Sequence, residues 1–237
     1  MSIPPTIGII GGTGAHGRGL ALRLAAAGHR VVLGSRDRAR ARSAVSDLAR
    51  RAGGAAAVRP DLVAATNASA AAAADVVLLA LPWDHEADLV TGLRPALAGK
   101  VVISCANPLA FDAMGPHQAA SPHPSAAERT AALLPDARVV GAFHHLSAQR
   151  LLDPAAELST EDVLVCGDEP EAKAVVQRLC RSVTGRPGID AGPLRLARQI
   201  EPFTAVLISV NRRYGIRTGI SLSHVDTYEA PVLARPA

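Results

Sequence analysis

The first hundred residues alternate between two hydrophobic textures. Uninterrupted apolar runs at 6–10 (TIGII), 31–33 (VVL), 76–81 (VVLLAL) and 101–104 (VVIS) are too short for helices and rich in β-branched residues. Such runs predict strands buried on both faces. Between them, 18–27, 38–52 and 85–97 have helical spacing or composition. Leu20 and Leu24 mark one face of the first helix, Ala21 and Ala25 the small-residue face beside it, and Gly28 a C-terminal stop. A weaker strand falls at 62–66. Strand and helix in alternation predict an α/β fold with a doubly wound parallel sheet.

Past residue 108 the texture changes. Pro108, Gly115, Pro116, Pro122 and Pro124 break any period, which predicts a loop or lid. Further strands are expected at 139–143 and 163–166, and an amphipathic helix at 171–183. A long final helix at 194–214 places Leu196, Ile200, Phe203 and Leu207 on one face, and the chain from 215 onward reads as a loose tail. Residues 1–150 are expected to form the sheet domain. Residues 151–237 are expected to form a C-terminal extension, a small helical cap that completes the pocket.

Composition narrows the partners. The 237 residues suit one large domain, and 49% apolar content with only 3% aromatics favours Ala- and Leu-rich helices packed closely on a sheet. The 25 basic and 21 acidic residues leave a formal +4, carried almost wholly by Arg. No basic tract is dense, and too few aromatics exist for a stacking platform, so nucleic acid is not expected; an anionic small molecule is. Cys105, Cys166 and Cys180 are far apart with no CxxC, as expected of reduced thiols in a cytoplasmic protein. The N-terminal residues lack a signal-peptide pattern, and the longest apolar run is too short to span a membrane.

The chemistry begins at Gly12-Thr13-Gly14-Ala15-His16-Gly17, which fits G-x-G-x-x-G, follows a strand and opens a helix. In that context the motif binds a dinucleotide on a Rossmann-like sheet. Gly12 is read as permitting the tight turn, Gly14 as letting the backbone approach a diphosphate, and Gly17 as allowing close helix–strand contact. The end of the second strand then selects the dinucleotide. An acidic residue there would bind the ribose hydroxyls and repel a 2′-phosphate. This chain has Ser35-Arg36, a hydroxyl and a guanidinium suited to phosphate, which favours NADP over NAD. For Arg40, phosphate contact and a solvated helix face stand level; Arg38 reads as solvated. Asp37 argues the other way but also suits a first helical turn.

The segments GGTGAHGRGLALRLAAAGH, GSR, LPWDHE, ANPL, VVGAFHH, VCGD and DAGPL, in this order from about residue 7 to 214, resemble the NADPH-dependent reductases of the deazaflavin coenzyme F420. The resemblance implies an NADP-dependent oxidoreductase that exchanges a hydride between NADP(H) and coenzyme F420. It places Thr13, Ser35, Arg36 and Arg40 on the nucleotide and its 2′-phosphate. Leu81, Pro82, Trp83 and His85 fall beside the nicotinamide. Asn107, Pro108, His144, His145, Leu146, Ser147 and Ala148 fall around the deazaflavin, with His144 as the candidate for bonding its polar edge.

Other readings stand beside these. Asp84 reads as a helix N-cap. The adjacent His144 and His145, if on a strand, would point to opposite faces, and no carboxylate or Cys completes a metal site with them. Two rival functions remain: an NADPH-dependent reductase of another small acceptor, such as an imine or a metal chelate, and a non-catalytic NADP(H) sensor. A homodimer is expected from the apolar final helix, unless that stripe is buried within the monomer.

Overall fold

The computed structural model describes residues 4–53 and 61–225. The first half alternates as predicted, with one unexpected helix, α3: β1 (Ile7–Ile10), α1 (Ala15–Ala26), β2 (Val31–Ser35), α2 (Arg38–Arg51), β3 (Leu62–Thr66), α3 (Asn67–Ala73), β4 (Val76–Leu79), α4 (Glu86–Leu97) and β5 (Val101–Ser104). There follow β6 (Leu109–Asp112), β7 (Gly115–Gln118), α5 (Ala126–Leu133), β8 (Arg138–Gly141), α6 (Ala148–Leu152), β9 (Leu164–Gly167), α7 (Pro170–Thr184), β10 (Ile189–Gly192) and α8 (Ala197–Tyr214). Eight strands form one sheet in the order β3-β2-β1-β4-β5-β8-β9-β10. It is mostly parallel and Rossmann-like. β9 runs antiparallel to β8, and β10 parallel to β9. Both of these strands come from the second half of the chain, so that half contributes to the sheet as well as to the helical cover.

The apolar runs are continuous because the sheet is buried on both faces. Ile7, Ile9, Val31, Leu33, Val76 and Leu78 enter one core, whereas Ile10, Val32, Val77 and Leu79 enter the other. Successive strand residues alternate between the layers. Truncating a fully buried residue such as Leu33 to Ala would cost about 2–5 kcal/mol. Close packing also depends on missing side chains. A Cβ on Gly19 of α1 would lie 2.5 Å from Leu151 Cβ, so the glycine lets α6 settle on α1. The guanidinium of Arg23, one turn along α1, then donates to the carbonyls of Arg150, Leu151, Asp153 and Ala156 and closes the end of α6.

Several expectations are corrected. The proline-rich segment is not a plain loop: β6 and β7 pair as an antiparallel hairpin, with Asp112 Oδ1 accepting from the Met114 and Gly115 N–H groups at its turn. The strand expected at 76–81 stops at Leu79, and a 3-10 turn, Trp83–His85, precedes α4. The final helix begins at Ala197 behind a 3-10 turn, Leu194–Leu196. On α8, Ile200 and Leu207 are buried but Phe203 is 42% exposed, because the helix presents only its inner edge to the core. The tail is tied down through Leu222. Asn211 Oδ1 accepts from Thr218 N–H, Ile220 carbonyl accepts from Asp162 N–H, and Asp162 Oδ2 accepts from Leu222 N–H. Residues 226–237 of that predicted tail lie outside the described residues.

Candidate active site

The loop after β1 shows how the glycines divide their work. Gly11, not Gly12, makes the turn: its φ is +70° and its N–H donates to Asn67 Oδ1 at 3.1 Å. Gly12 is required for space, since a Cβ there would lie 2.9 Å from Leu33 Cγ and 3.0 Å from the Ile9 carbonyl oxygen. Gly17 allows the close contact expected of it, for its Cβ would lie 2.8 Å from Gly12 Cα. Gly14 differs from both. It is the N-cap of α1 with an ordinary extended backbone, and the nearest protein atom to an added Cβ is 3.8 Å away. Nothing among the described residues crowds a side chain at 14. A ligand lying against the backbone would.

Two cavities meet at this loop along the carboxyl ends of the strands, where open α/β sheets bind ligands. One, of about 620 Å³, is bordered by Thr13, Gly14, Ser35, Arg36, Arg40 and Asn67, with Asp84 and Asp88 from the α4 side. Asp37 is not among its lining. That carboxylate caps α2, accepting from Ala39 N–H at 2.7 Å, and so is consistent with a 2′-phosphate site. Gly34 is small because a Cβ there would lie 2.9 Å from Asn67 Oδ1. Asp84 stands second in its 3-10 turn and faces this cavity; the N-cap position expected for it is held by Pro82.

The second cavity, of about 720 Å³, is bordered by Gly14, Ala15, His16, Trp83, Asn107 and the run His144–Ala148, with Phe111 and residues of α8 opposite. Gly14, Ala80, Leu81 and Pro82 line both cavities, so the two chambers share a wall. Pro108 lies outside both linings, at the base of the hairpin, where its carbonyl accepts from Ala119 N–H. The side chain of His85 lies outside what the structure describes.

The histidines sit differently from the strand expectation. β8 ends at Gly141, and buried Phe143 takes φ +66°, a left-handed conformation that a bulky residue adopts at a cost of about 1–3 kcal/mol. Extended geometry ends there, so alternation no longer applies, and His144 and His145 both border the larger cavity. His145 Nε2 lies 2.7 Å from the Asp162 carbonyl oxygen, which fixes that ring. His144 is 2% exposed, and neither ring nitrogen has a hydrogen-bond partner among the described residues. Its backbone, however, is held. Asn107 Nδ2 donates to the His144 carbonyl at 2.7 Å, and Thr204 Oγ1 lies 3.4 Å from the same oxygen and 3.3 Å from Asn107 Oδ1. Burial, with lesser repulsion from His145 and His16, lowers the His144 pKa to about 3. Burial and His145 lower that of His16 to about 4. Both rings are neutral near pH 7. An orphaned neutral imidazole in a cavity wall suits a ligand with a polar edge.

The chain from residue 6 to 108 matches the family model described as NADP oxidoreductase coenzyme F420-dependent. The F420-dependent NADP reductase of Methanocaldococcus jannaschii is 35% identical over 227 residues, covering 93% of this chain and 99% of that protein. This chain belongs to the F420-dependent NADP reductase family. The reductase of Methanothermobacter thermautotrophicus is 36% identical over 230 residues, covering 94% and 97% of the two chains. Among solved structures, a putative F420-dependent NADP-reductase from Arthrobacter sp. FB24 superposes with a TM-score of 0.77 at 28% identity, covering 92% of this chain and 99% of its own.

Within this F420-dependent NADP reductase family member, four supporting residues escaped the sequence reading. Asn67 holds the Gly11 N–H, and Thr204 braces Asn107. Arg129 donates to the Trp83 carbonyl and to Glu86 Oε2, the latter at 3.0 Å, while its guanidinium lies 5.7 Å from the Trp83 ring centroid. Fully buried Glu86 is pushed up in pKa by desolvation, against the opposing pull of Arg129 and Thr130. These contacts fix Trp83 and the start of α4.

Proposed function

We propose that the protein transfers a hydride between NADP(H) and the deazaflavin coenzyme F420. The observation that carries this reading is the shared wall of Gly14, Ala80, Leu81 and Pro82 between a phosphate-suited chamber and a broad, largely apolar one. A nicotinamide reaching from the first chamber meets a planar ring in the second across that wall. When bound, the two coenzymes supply the hydride donor and acceptor carbons, so the protein needs no nucleophile of its own.

The residues of the chain divide the remaining work. The open Gly14 and the N–H groups at the start of α1 receive the diphosphate. Ser35, Arg36 and Arg40 engage the 2′-phosphate, with Thr13 beside them. Leu81, Pro82 and Trp83 exclude water and press the rings together, so that the reacting carbons come within about 3–3.5 Å. His144 meets the polar edge of the deazaflavin as a neutral donor or acceptor. We further infer a homodimer acting in the cytoplasm. In support, Phe203 and Val206 on α8 and Phe111 and Met114 on the hairpin are exposed apolar side chains. All three cysteines are free thiols, and no helix among the described residues is long and apolar enough to cross a membrane.

Mixing purified protein with NADPH and F420, and following loss of deazaflavin absorbance, tests the activity. Rapid bleaching supports the proposal. Oxidation of NADPH only with imines or metal chelates would replace it, and binding without turnover would leave a sensor.

A further inference from the structure

The two chambers differ in charge. The chamber with Arg36 and Arg40 also contains Asp84 and Asp88. Among the described residues lining the larger chamber there is no Asp or Glu, yet Arg212 and Arg217 border it. Its histidines add no positive charge of their own, being held neutral by burial, so the charge of this chamber comes from the two arginines. Both arginines are exposed, so they form the rim, whereas His144 lies in the buried floor.

This rim is fixed by the chain rather than left to solvent. The Arg212 guanidinium lies 5.5 Å from the centroid of the Phe111 ring, joining α8 to the hairpin. Gly215, at φ +66°, ends α8 and turns the chain back, and Asn211 Oδ1 accepts from Thr218 N–H at 2.6 Å. Arg217 is thereby brought to the opening, where its Nε donates to Gln149 Oε1 at 2.6 Å and its Nη1 to the Ile216 carbonyl at 2.8 Å. These two bonds orient the guanidinium and leave its other N–H donors for a ligand. Two oriented cations without a carboxylate in the lining give the opening a positive potential.

We infer that Arg212 and Arg217 bind an anionic group, phosphate or carboxylate, carried on a flexible arm of the second substrate. The ring of that substrate fills the chamber toward His144, and its arm leaves through the rim. This inference rests on the reading of the second substrate as a deazaflavin. It adds that the protein distinguishes deazaflavins by the charge of the arm, not only by the ring.

The test titrates wild type and the R212Q/R217Q double variant with two probes in the presence of saturating NADP+. One probe is coenzyme F420, whose arm carries phosphate and carboxylate groups; the other is the same deazaflavin with an uncharged ribityl arm. Binding is read from deazaflavin fluorescence at low and high salt, and thermal melting checks both proteins. Wild type is expected to bind the charged probe at least about tenfold more tightly than the uncharged one, with the advantage shrinking at high salt. The double variant is expected to lose most of that advantage. Should it melt early, R212Q and R217Q singly replace it, each losing about half of the advantage on a logarithmic scale. Equal affinity of wild type for both probes overturns this inference alone, as does an advantage that survives in the variants. Failure of both probes to bind wild type overturns it together with the deazaflavin reading.

Discussion

The side-chain amide of Asn107 donates to the main-chain carbonyl of His144 at 2.7 Å, across 37 residues of sequence. The bond joins the segment after β5 to the segment after β8, and Thr204 of α8 braces the pair. His144 thus follows a residue in left-handed conformation and hangs from an amide on a neighbouring strand end. Replacing Asn107 with Leu leaves the His144 carbonyl and Thr204 hydroxyl without this partner. Hydride transfer in N107L is expected to slow by about tenfold or more, because about 1–3 kcal/mol of buried polar pairing is lost and the ring floor shifts. Single-turnover kinetics with NADPH and F420 check this; an unchanged rate would mean the pair is scaffold only.

Arg36 is the residue on which the choice of nucleotide rests. R36A is expected to weaken NADPH binding by about 10–100-fold, the worth of a charge-assisted contact of about 1.5–3 kcal/mol. NADH, which lacks the phosphate, should lose far less. Titrations of both nucleotides decide the matter, since equal losses would make Arg36 mere support for the loop.

The glycines of the fingerprint separate ligand binding from folding. G14A has an ordinary backbone conformation and no protein atom closer than 3.8 Å to the new methyl, so its melting temperature should hardly move. Its affinity for NADPH should nevertheless fall by at least about tenfold, the effect of about 1.4 kcal/mol of lost approach to the diphosphate. G17A should do the reverse first, destabilising the fold by about 1–3 kcal/mol through the 2.8 Å clash with Gly12 Cα. Melting and binding measured on both variants test the division.

The buried histidines set an acid limit. In the unfolded chain they take up protons near pH 6.5, whereas in the fold His16 does so only at about pH 4 and His144 at about pH 3. Between these values the unfolded state binds more protons, so stability is full above pH 6.5 and falls as pH drops toward 4. At pH 5 each histidine is expected to cost up to about 2 kcal/mol. Urea unfolding from pH 7.5 to 4.5 should show this slope in wild type and a shallower one in H16Q/H144Q. An identical slope would place the acid sensitivity elsewhere.

The legible parts of the molecule were those with a local cause. β1, β2, β4 and β5 stood out because burial on both faces leaves no polar gap in them, and the fingerprint because a turn, a close packing contact and a ligand approach fall within six residues. The β6–β7 hairpin hid behind its prolines, since its residues are half-buried or exposed and carry no apolar alternation. α3, NASAAAA, is nearly all alanine and has no periodic stripe to detect. Asn67, Arg129 and Thr204 were beyond reach for a different reason. Their partners lie 56, 46 and 97 residues away along the chain, and no local pattern encodes such a meeting.

The wall shared by the two chambers fixes the accounting of the electrons. Glycine, alanine, leucine and proline contain no atom able to store a pair of them, and the nearby Cys105 thiol is pushed up in pKa by burial and stays protonated. That wall therefore keeps no reducing equivalent of its own between one coenzyme and the next. Donor and acceptor must be present together, steady-state lines must intersect rather than run parallel, and deuterium entering on one coenzyme must leave on the other undiluted by water.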